Sequence, residues 1–357
     1  MNSWQSVLVT VAIGLAVTLA IQGVRILIAY RNTKNYFWGP VDGAVDAGYD
    51  EKSHVLRDGL TVNYAEGPRD GIPLLLIHGQ GMRWQEYARA LPALAETYHV
   101  IAVDCHGHGK TTWNPDDYTA DRMADDLALF IDRVFGAPCI VSGHSSGGLI
   151  ATRMAARHPE KVRGVVIEDA PFFSTEPDRM PATFSWIDTF RHIPEFLTQT
   201  DERDWVCYFM PRSYWSRLFG PLWPSFTRHV IRQRRADPDR LPLIRWVGVG
   251  INRIWEAASH PYDIRFSASF QDFSWFDGFD QAETLRQVRC PTTFIKASTR
   301  RDTQGNLLAA LDDEDCARVD SLLPDNRVVR VRSSHDVHFA KTTMFVRVMK
   351  EFATRVA

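Results

Sequence analysis

The chain has 357 residues, 45 % of them hydrophobic and 24 % charged, with a formal net charge of −2. That length suits one large α/β domain with an insertion or two small domains, and the composition is that of a globular protein. The near-neutral balance leaves no electrostatic footprint for nucleic acid. Five cysteines, Cys105, Cys139, Cys207, Cys290 and Cys316, are scattered without a C-x-x-C pair. They read as free thiols of a reducing compartment, not a disulfide framework or a zinc site.

The N-terminus differs from the rest. Val7 to Ile21 is uncharged and almost wholly apolar, and apolar character resumes at Ile26 to Tyr30 after Arg25. A helix from Trp4 to Val24 would reach the roughly 20 residues needed to cross a bilayer. A cleaved signal peptide normally has a basic segment ahead of its apolar run. Here the positive charges, Arg25, Arg31 and Lys34, lie after the run instead. Residues 1–30 therefore read as a single-pass membrane anchor, and the positive-inside rule places the catalytic part of the chain in the cytoplasm. Residues 31–52, with Gly39-Pro40, read as a linker.

Strands are expected next. Ser53 to Arg57 and Leu60 to Ala65 alternate and are joined by Asp58-Gly59, a hairpin signal. Pro73 to Ile77 and Val100 to Val103 are continuous apolar runs, as in strands buried on both faces. Helical patterns cover Trp84 to Tyr98, Ala120 to Val134 and Leu149 to Arg157, with further strands at Cys139 to Val141 and Val162 to Ile167. This alternation predicts a mostly parallel central sheet with helices on both faces. It stops after Pro171 and resumes at Thr292 to Ile295. A helix around Glu314 to Leu323, a strand Val328 to Val331 and a helix Thr343 to Thr354 complete the chain. The expected organisation is core over 53–171, a Trp-rich helical cap over 172–289, and core again over 290–357.

Between the run Cys139 to Val141 and the helix from Leu149 stands Gly143-His144-Ser145-Ser146-Gly147. A serine with glycines two residues away on each side, between strand and helix, is the nucleophile-elbow pattern. The sharp turn pushes the Ser145 hydroxyl out of the sheet and leaves no room for side chains at Gly143 and Gly147. A serine nucleophile needs a base, an acid to orient that base, and oxyanion donors. His335, in Ser333-Ser334-His335-Asp336-Val337-His338, comes after the last strand and is the expected base. Asp302, beyond the strand Thr292 to Ala297, is the favoured acid. Asp169, at the end of the strand Val162 to Glu168, is the other position the topology allows, and Asp312 and Asp313 are outlying candidates. The loop His78-Gly79-Gln80-Gly81 can approach a substrate oxygen closely, so the Gln80 and Ser146 backbone N–H groups are the expected oxyanion donors. His144 and His338 are assigned to substrate contact. No metal site is expected, because the His335/His338 pair has no acidic or cysteine-rich partner cluster. His108-Gly109-Lys110-Thr111 is not a phosphate loop, since Asp104 stands where that pattern needs its first glycine.

Together, His78-Gly79, the turn Asp104 to Gly109, the elbow Gly143 to Gly147 and the His335 region resemble the α/β-hydrolase fold superfamily, in that superfamily's order. The resemblance covers about residues 53–357. It implies a cofactor-free serine hydrolase with a helical cap, acting on a small-molecule ester. Two features depart from the common pattern: His106 stands where arginine is usual, and the turn after the seventh strand lacks G-x-x-D. Serine at position 145 argues against epoxide-hydrolase or dehalogenase chemistry, which uses aspartate there. Amide, thioester or carbon–carbon hydrolysis, cofactor-free haloperoxidase-like activity and a non-catalytic ligand-binding role are the alternatives.

Overall fold

The apolar runs become the strands of one sheet because neighbouring residues along each run serve opposite faces. Leu75, Ile77, Ile101, Val141, Val165 and Ile167 pack into one hydrophobic cluster, while Leu74, Leu76, Val100, Ala102, Ile140 and Val166 pack into a second. In the computed structural model, which describes residues 3–33 and 36–356, the strands are β1 (Asp50–Arg57), β2 (Leu60–Glu66), β3 (Ile72–Ile77), β4 (Tyr98–Val103), β5 (Cys139–His144), β6 (Val162–Glu168), β7 (Thr292–Lys296) and β8 (Asn326–Arg330). Their order is β1-β2-β4-β3-β5-β6-β7-β8. The first two strands run antiparallel, joined through Gly59 at φ 75°, and every pairing from β4 to β8 is parallel.

The main helices are α1 (Ser3–Thr33), α2 (Trp38–Asp46), α3 (Ala120–Phe130), α4 (Ser146–Arg157), α5 (Val249–Ser259), α6 (Asp313–Leu322) and α7 (Thr342–Val356). Residues Met123 and Leu127 of α3 and Leu149 and Met154 of α4 cover one face of the sheet, and Phe345 and Met349 of α7 cover the other. Local chemistry starts these helices: Thr119 caps α3 by accepting from the Arg122 N–H, and Asp312 and Asp315 form a reciprocal capping box at α6.

Two sequence expectations need correction. The stretch Trp84 to Tyr98 is not one helix but a 3₁₀ turn (Trp84–Tyr87), a single turn (Leu91–Leu94) and the start of β4. Pro92 stands second in its turn, where its missing N–H cannot donate into a preceding one. The expected linker over 31–52 is also structured: α1 continues to Thr33, α2 occupies its middle, and β1 starts at Asp50. Tyr36 and Phe37 are buried against the segment between β6 and β7. The Tyr36 hydroxyl donates to Glu256 over 2.9 Å, and the Phe37 ring lies 5.1 Å from that of His260. Lys34 lies outside the described residues. Helix α1 is long and apolar enough from Val7 to Thr33 to cross a membrane; its most apolar 18-residue window is not buried against the rest of the protein, whereas Thr33 at its end is.

The segment between β6 and β7 is mostly helical, with its own core of Val206, Phe209, Met210, Trp223, Phe226, Val230, Ile244 and Trp255. Most of its tryptophans fill or pack against that core or the core beneath; Trp215, packed against it, also lines a cavity that opens at Ser145, and Trp246 is exposed.

Candidate active site

Register brings the site together. Ile77 pairs with Gly143, Gly143 with Ile167, and Ile167 with Phe294. Two residues further on, Gly79, Ser145 and Asp169 therefore emerge at one level from the carboxyl ends of β3, β5 and β6. Ligands of open α/β sheets bind at that end.

Ser145 is held at φ 54°, ψ −122°, between β5 and α4. This is a strained conformation for a residue with a side chain. Glycines make it possible: a Cβ on Gly143 would stand 2.1 Å from the Gly147 carbonyl oxygen, and one on Gly147 would stand 2.3 Å from that of Ile77. The Ser145 N–H donates to the Glu168 carbonyl over 2.9 Å, tying the elbow to β6. Ser146 opens α4, so its N–H has no acceptor within the helix.

The Nδ1–H of His335 donates to Asp169 Oδ2 over 2.8 Å, and Asp169 Oδ1 accepts from the Ala297 N–H over 2.9 Å. Asp169 is almost fully buried and sits at φ 44°. Because a carboxylate only accepts, this bond leaves Nε2 of His335 free to take a proton. Burial pulls the His335 pKa down, but the hydrogen bond and charge of Asp169 outweigh it and hold it above the usual value.

The favoured acid of the sequence reading is therefore corrected. Asp302 does not meet His335. Its Oδ1 accepts from the Gln304 and Asn306 N–H groups, and its Oδ2 from the Asn306 side chain and the Tyr214 hydroxyl, each over 2.9 Å. These bonds, led by Asn306, hold its carboxyl at about 2. The physical reason is distance along the loop: Asp302 lies well past the end of β7 and closes its own turn, whereas Asp169 comes directly after β6. Asp312 and Asp313 serve α6, as cap and first residue, and pair with Arg301 and Arg330 respectively.

Gln80 and Ser146 both line the cavity beside Ser145 and His335. The Gln80 loop is braced: the Gln80 amide donates to the Tyr262 hydroxyl over 3.1 Å and also meets Ser267, and the Gly81 N–H donates to His108 over 3.0 Å. Asp104 accepts from the Asn63 side chain and from the Trp84 and Lys110 N–H groups, which gives the turn before His106 a structural task.

His144 and His338, expected to contact substrate, turn inward instead. The Nδ1–H of His144 donates to Glu86 over 2.9 Å, and the Nδ1–H and backbone N–H of His338 both donate to Glu168, over 2.9 and 2.8 Å. Glu86 also accepts from the Gly79 N–H over 3.3 Å and lies 3.7 Å from His338 Nε2. Burial alone would raise the Glu86 carboxyl, but His144 and His338 hold it down at about 2. Sequence reasoning missed Glu86 and Glu168. A carboxylate closing the apolar strand Val162 to Glu168 was the one available hint. Glu86, His144 and His338 are also the residues that could hold a metal ion, with ligand atoms within 4.8 Å of one another.

Ser145, Ser146, Gln80, Asp169 and His335 open onto a cavity of about 980 Å³. Its walls include Met180, Phe184, Phe190, Trp215, Leu218 and Phe270, mostly from the segment between β6 and β7.

Comparison with known proteins agrees with this architecture. A sequence profile for the alpha/beta hydrolase fold matches residues 72–242. Bifunctional epoxide hydrolase 2 of Mus musculus is 28 % identical over 147 residues, 40 % of this chain and 26 % of that protein. The pimeloyl-[acyl-carrier protein] methyl ester esterase of Neisseria meningitidis serogroup B is 37 % identical over 135 residues, 34 % of this chain and 50 % of that protein. The alignment thus spans a quarter to half of these relatives. Among solved structures, a bacterial membrane phospholipase A superposes with a TM-score of 0.56 at 21 % identity, covering 97 % of this chain and 98 % of that one. Sheet order, elbow and matched profile together show that the chain has the α/β-hydrolase fold.

Proposed function

We propose that the protein is a serine hydrolase that cleaves carboxylic esters with apolar acyl groups. The observation that carries this reading is the strained Ser145 sharing one cavity with the His335–Asp169 pair. His335 Nε2 takes the Ser145 proton as Oγ attacks the ester carbonyl. The N–H groups of Gln80 and Ser146 receive the oxyanion, in the manner typically worth about 3–4 kcal/mol per donor. Collapse expels the alcohol with the proton from His335 and leaves an acyl-serine. Water then gives its proton to His335, attacks the acyl carbon and releases the acid. Asp169 holds the imidazole tautomer and stabilises the imidazolium. Nothing in this sequence of steps requires a cofactor.

The wall made by Met180, Phe184, Phe190, Trp215, Leu218 and Phe270 favours an apolar acyl chain, which loses contact with water there. Helix α1 acts as a membrane anchor in this reading, with Arg25, Arg31 and Lys34 keeping the catalytic part on the cytoplasmic side. Ester hydrolysis by the wild-type chain, lost in Ser145→Ala, is the test; undiminished turnover in the variant contradicts the reading.

A further inference from the structure

Beside the catalytic cavity lies a second recess of about 460 Å³, lined by Ser298, Arg300, Arg332, Ser333, Ser334, Ala340 and Lys341. The two spaces share Ser298, Arg300, Ser333 and Ser334, so the recess is continuous with the wall that carries His335. Three cations and three hydroxyls line it, and no carboxylate does. Elsewhere the cations of this protein are mostly paired, as Arg301 is with Asp312 and Arg330 with Asp313. Among the described residues, the side chains of Arg300, Arg332 and Lys341 have no acidic or hydrogen-bonding partner.

A second observation points the same way. The hydroxyl of Ser333 is buried and has no hydrogen-bond partner. A buried donor left unpaired carries an uncompensated desolvation cost, and a bound group close enough to accept from it removes that cost. The backbone under two of the walls is tied together. The Ser298 N–H donates to the Ser333 carbonyl over 3.3 Å, joining the loops after β7 and β8. Lys341 immediately precedes α7, whose first turn adds partial positive charge at the same edge.

We propose that this recess binds a phosphate monoester group carried by the ester substrate. The proposal deepens the reading of the catalytic cavity and rests on it. Three separate cations suit a dianion with three free oxygens better than a carboxylate, which a single arginine can clamp. The ester would sit at Ser145 with its apolar acyl chain in the large cavity and its phosphate among Arg300, Arg332 and Lys341. The phosphate itself does not react. It can belong to a dissolved molecule or to a lipid headgroup, and the experiment separates the two.

The full chain in detergent is assayed on dibutyrylglycerol and dibutyryl phosphatidate in solution, and on dioleoylglycerol and dioleoyl phosphatidate in phosphatidylcholine vesicles. The readout is the ratio of kcat/KM for the phosphate-bearing ester to that for its neutral partner. In Arg332→Gln/Lys341→Gln this ratio falls by about tenfold or more in at least one arm, and that arm names the source, dissolved or membrane-borne. A general folding defect lowers both substrates and leaves the ratio in place. A ratio unmoved in both arms overturns the proposal. If no ester is turned over, the catalytic reading fails separately. Calorimetric titration with glycerol 3-phosphate then decides the recess by itself. Binding weakened about tenfold in the double variant supports it; equal binding, or none by the wild type, overturns it.

Discussion

The Nδ1–H of His335 meets Asp169 Oδ2 at 2.8 Å, across the gap between the loop after β8 and the end of β6. This contact makes Asp169, not Asp302, the carboxylate placed to orient His335. Asp169→Asn should lower kcat by several orders of magnitude, about 10⁴-fold in the well-studied serine triad. Asp302→Asn should cost far less, because Asp302 bonds only to Tyr214 and its own turn. Steady-state kinetics on a 4-nitrophenyl ester checks the ranking, and the reverse order refutes it.

The same contact sets the pH dependence. A base must be neutral to act, so kcat/KM rises with pH through the His335 pKa. That pKa is raised, so the acid limb should lie above the ordinary histidine value of about 6.5. In Asp169→Asn the largest raising influences are gone, with only the charges of Asp336 and Glu168 remaining, so the limb should move to lower pH while the plateau drops. A limb that stays in place in the variant contradicts this assignment.

Glu86 predicts a stability effect of definite sign. Its carboxyl is held at about 2, against an unperturbed value of 4.5. A depressed carboxylate stabilises the fold above the unfolded pKa, and that stability is lost as pH falls through the folded value. Unfolding measured between pH 4.5 and 2 should therefore be steeper in the wild type than in Glu86→Gln. At neutral pH, removing this fully buried charge beside His144 and His338 should cost about 3–5 kcal/mol. Equal slopes would contradict the network.

The features legible in the sequence are those that local chemistry writes there. Gly143 reports a backbone clash with Gly147 four residues on, so the elbow is legible directly, while Gly147 guards the approach of the distant Ile77 carbonyl. His335 stands where a base would be sought, after the last strand, and the fold sets it on the same cavity as Ser145. The acid was not legible, because Asp169 and Asp302 each lie beyond a core strand. Only register shows that Asp169 stands level with Ser145 while Asp302 is consumed by its own turn. His144 and His338 looked available for substrate because their partners, Glu86 and Glu168, are distant in sequence and meet them only in the folded core.

The N-terminal helix yields an independent prediction. The full chain should stay with membranes through carbonate extraction, whereas a chain beginning at Tyr36 should be soluble and active. Tyr36 must remain, because its hydroxyl is bonded to Glu256 of α5. Protease added to right-side-out vesicles should leave the catalytic part intact. Carbonate-resistant association of the shortened chain would show that α1 is not what holds the protein to the membrane.

Everything in the proposed chemistry turns on Ser145 being a nucleophile activated by His335. Labelling with a fluorophosphonate, with mass spectrometry of the digested chain, tests this most directly. A single phosphonylated residue, Ser145, is expected in the wild type, with strongly slowed labelling in His335→Gln and none in Ser145→Ala. A wild-type chain that stays unlabelled, or a label that persists in Ser145→Ala, would contradict it.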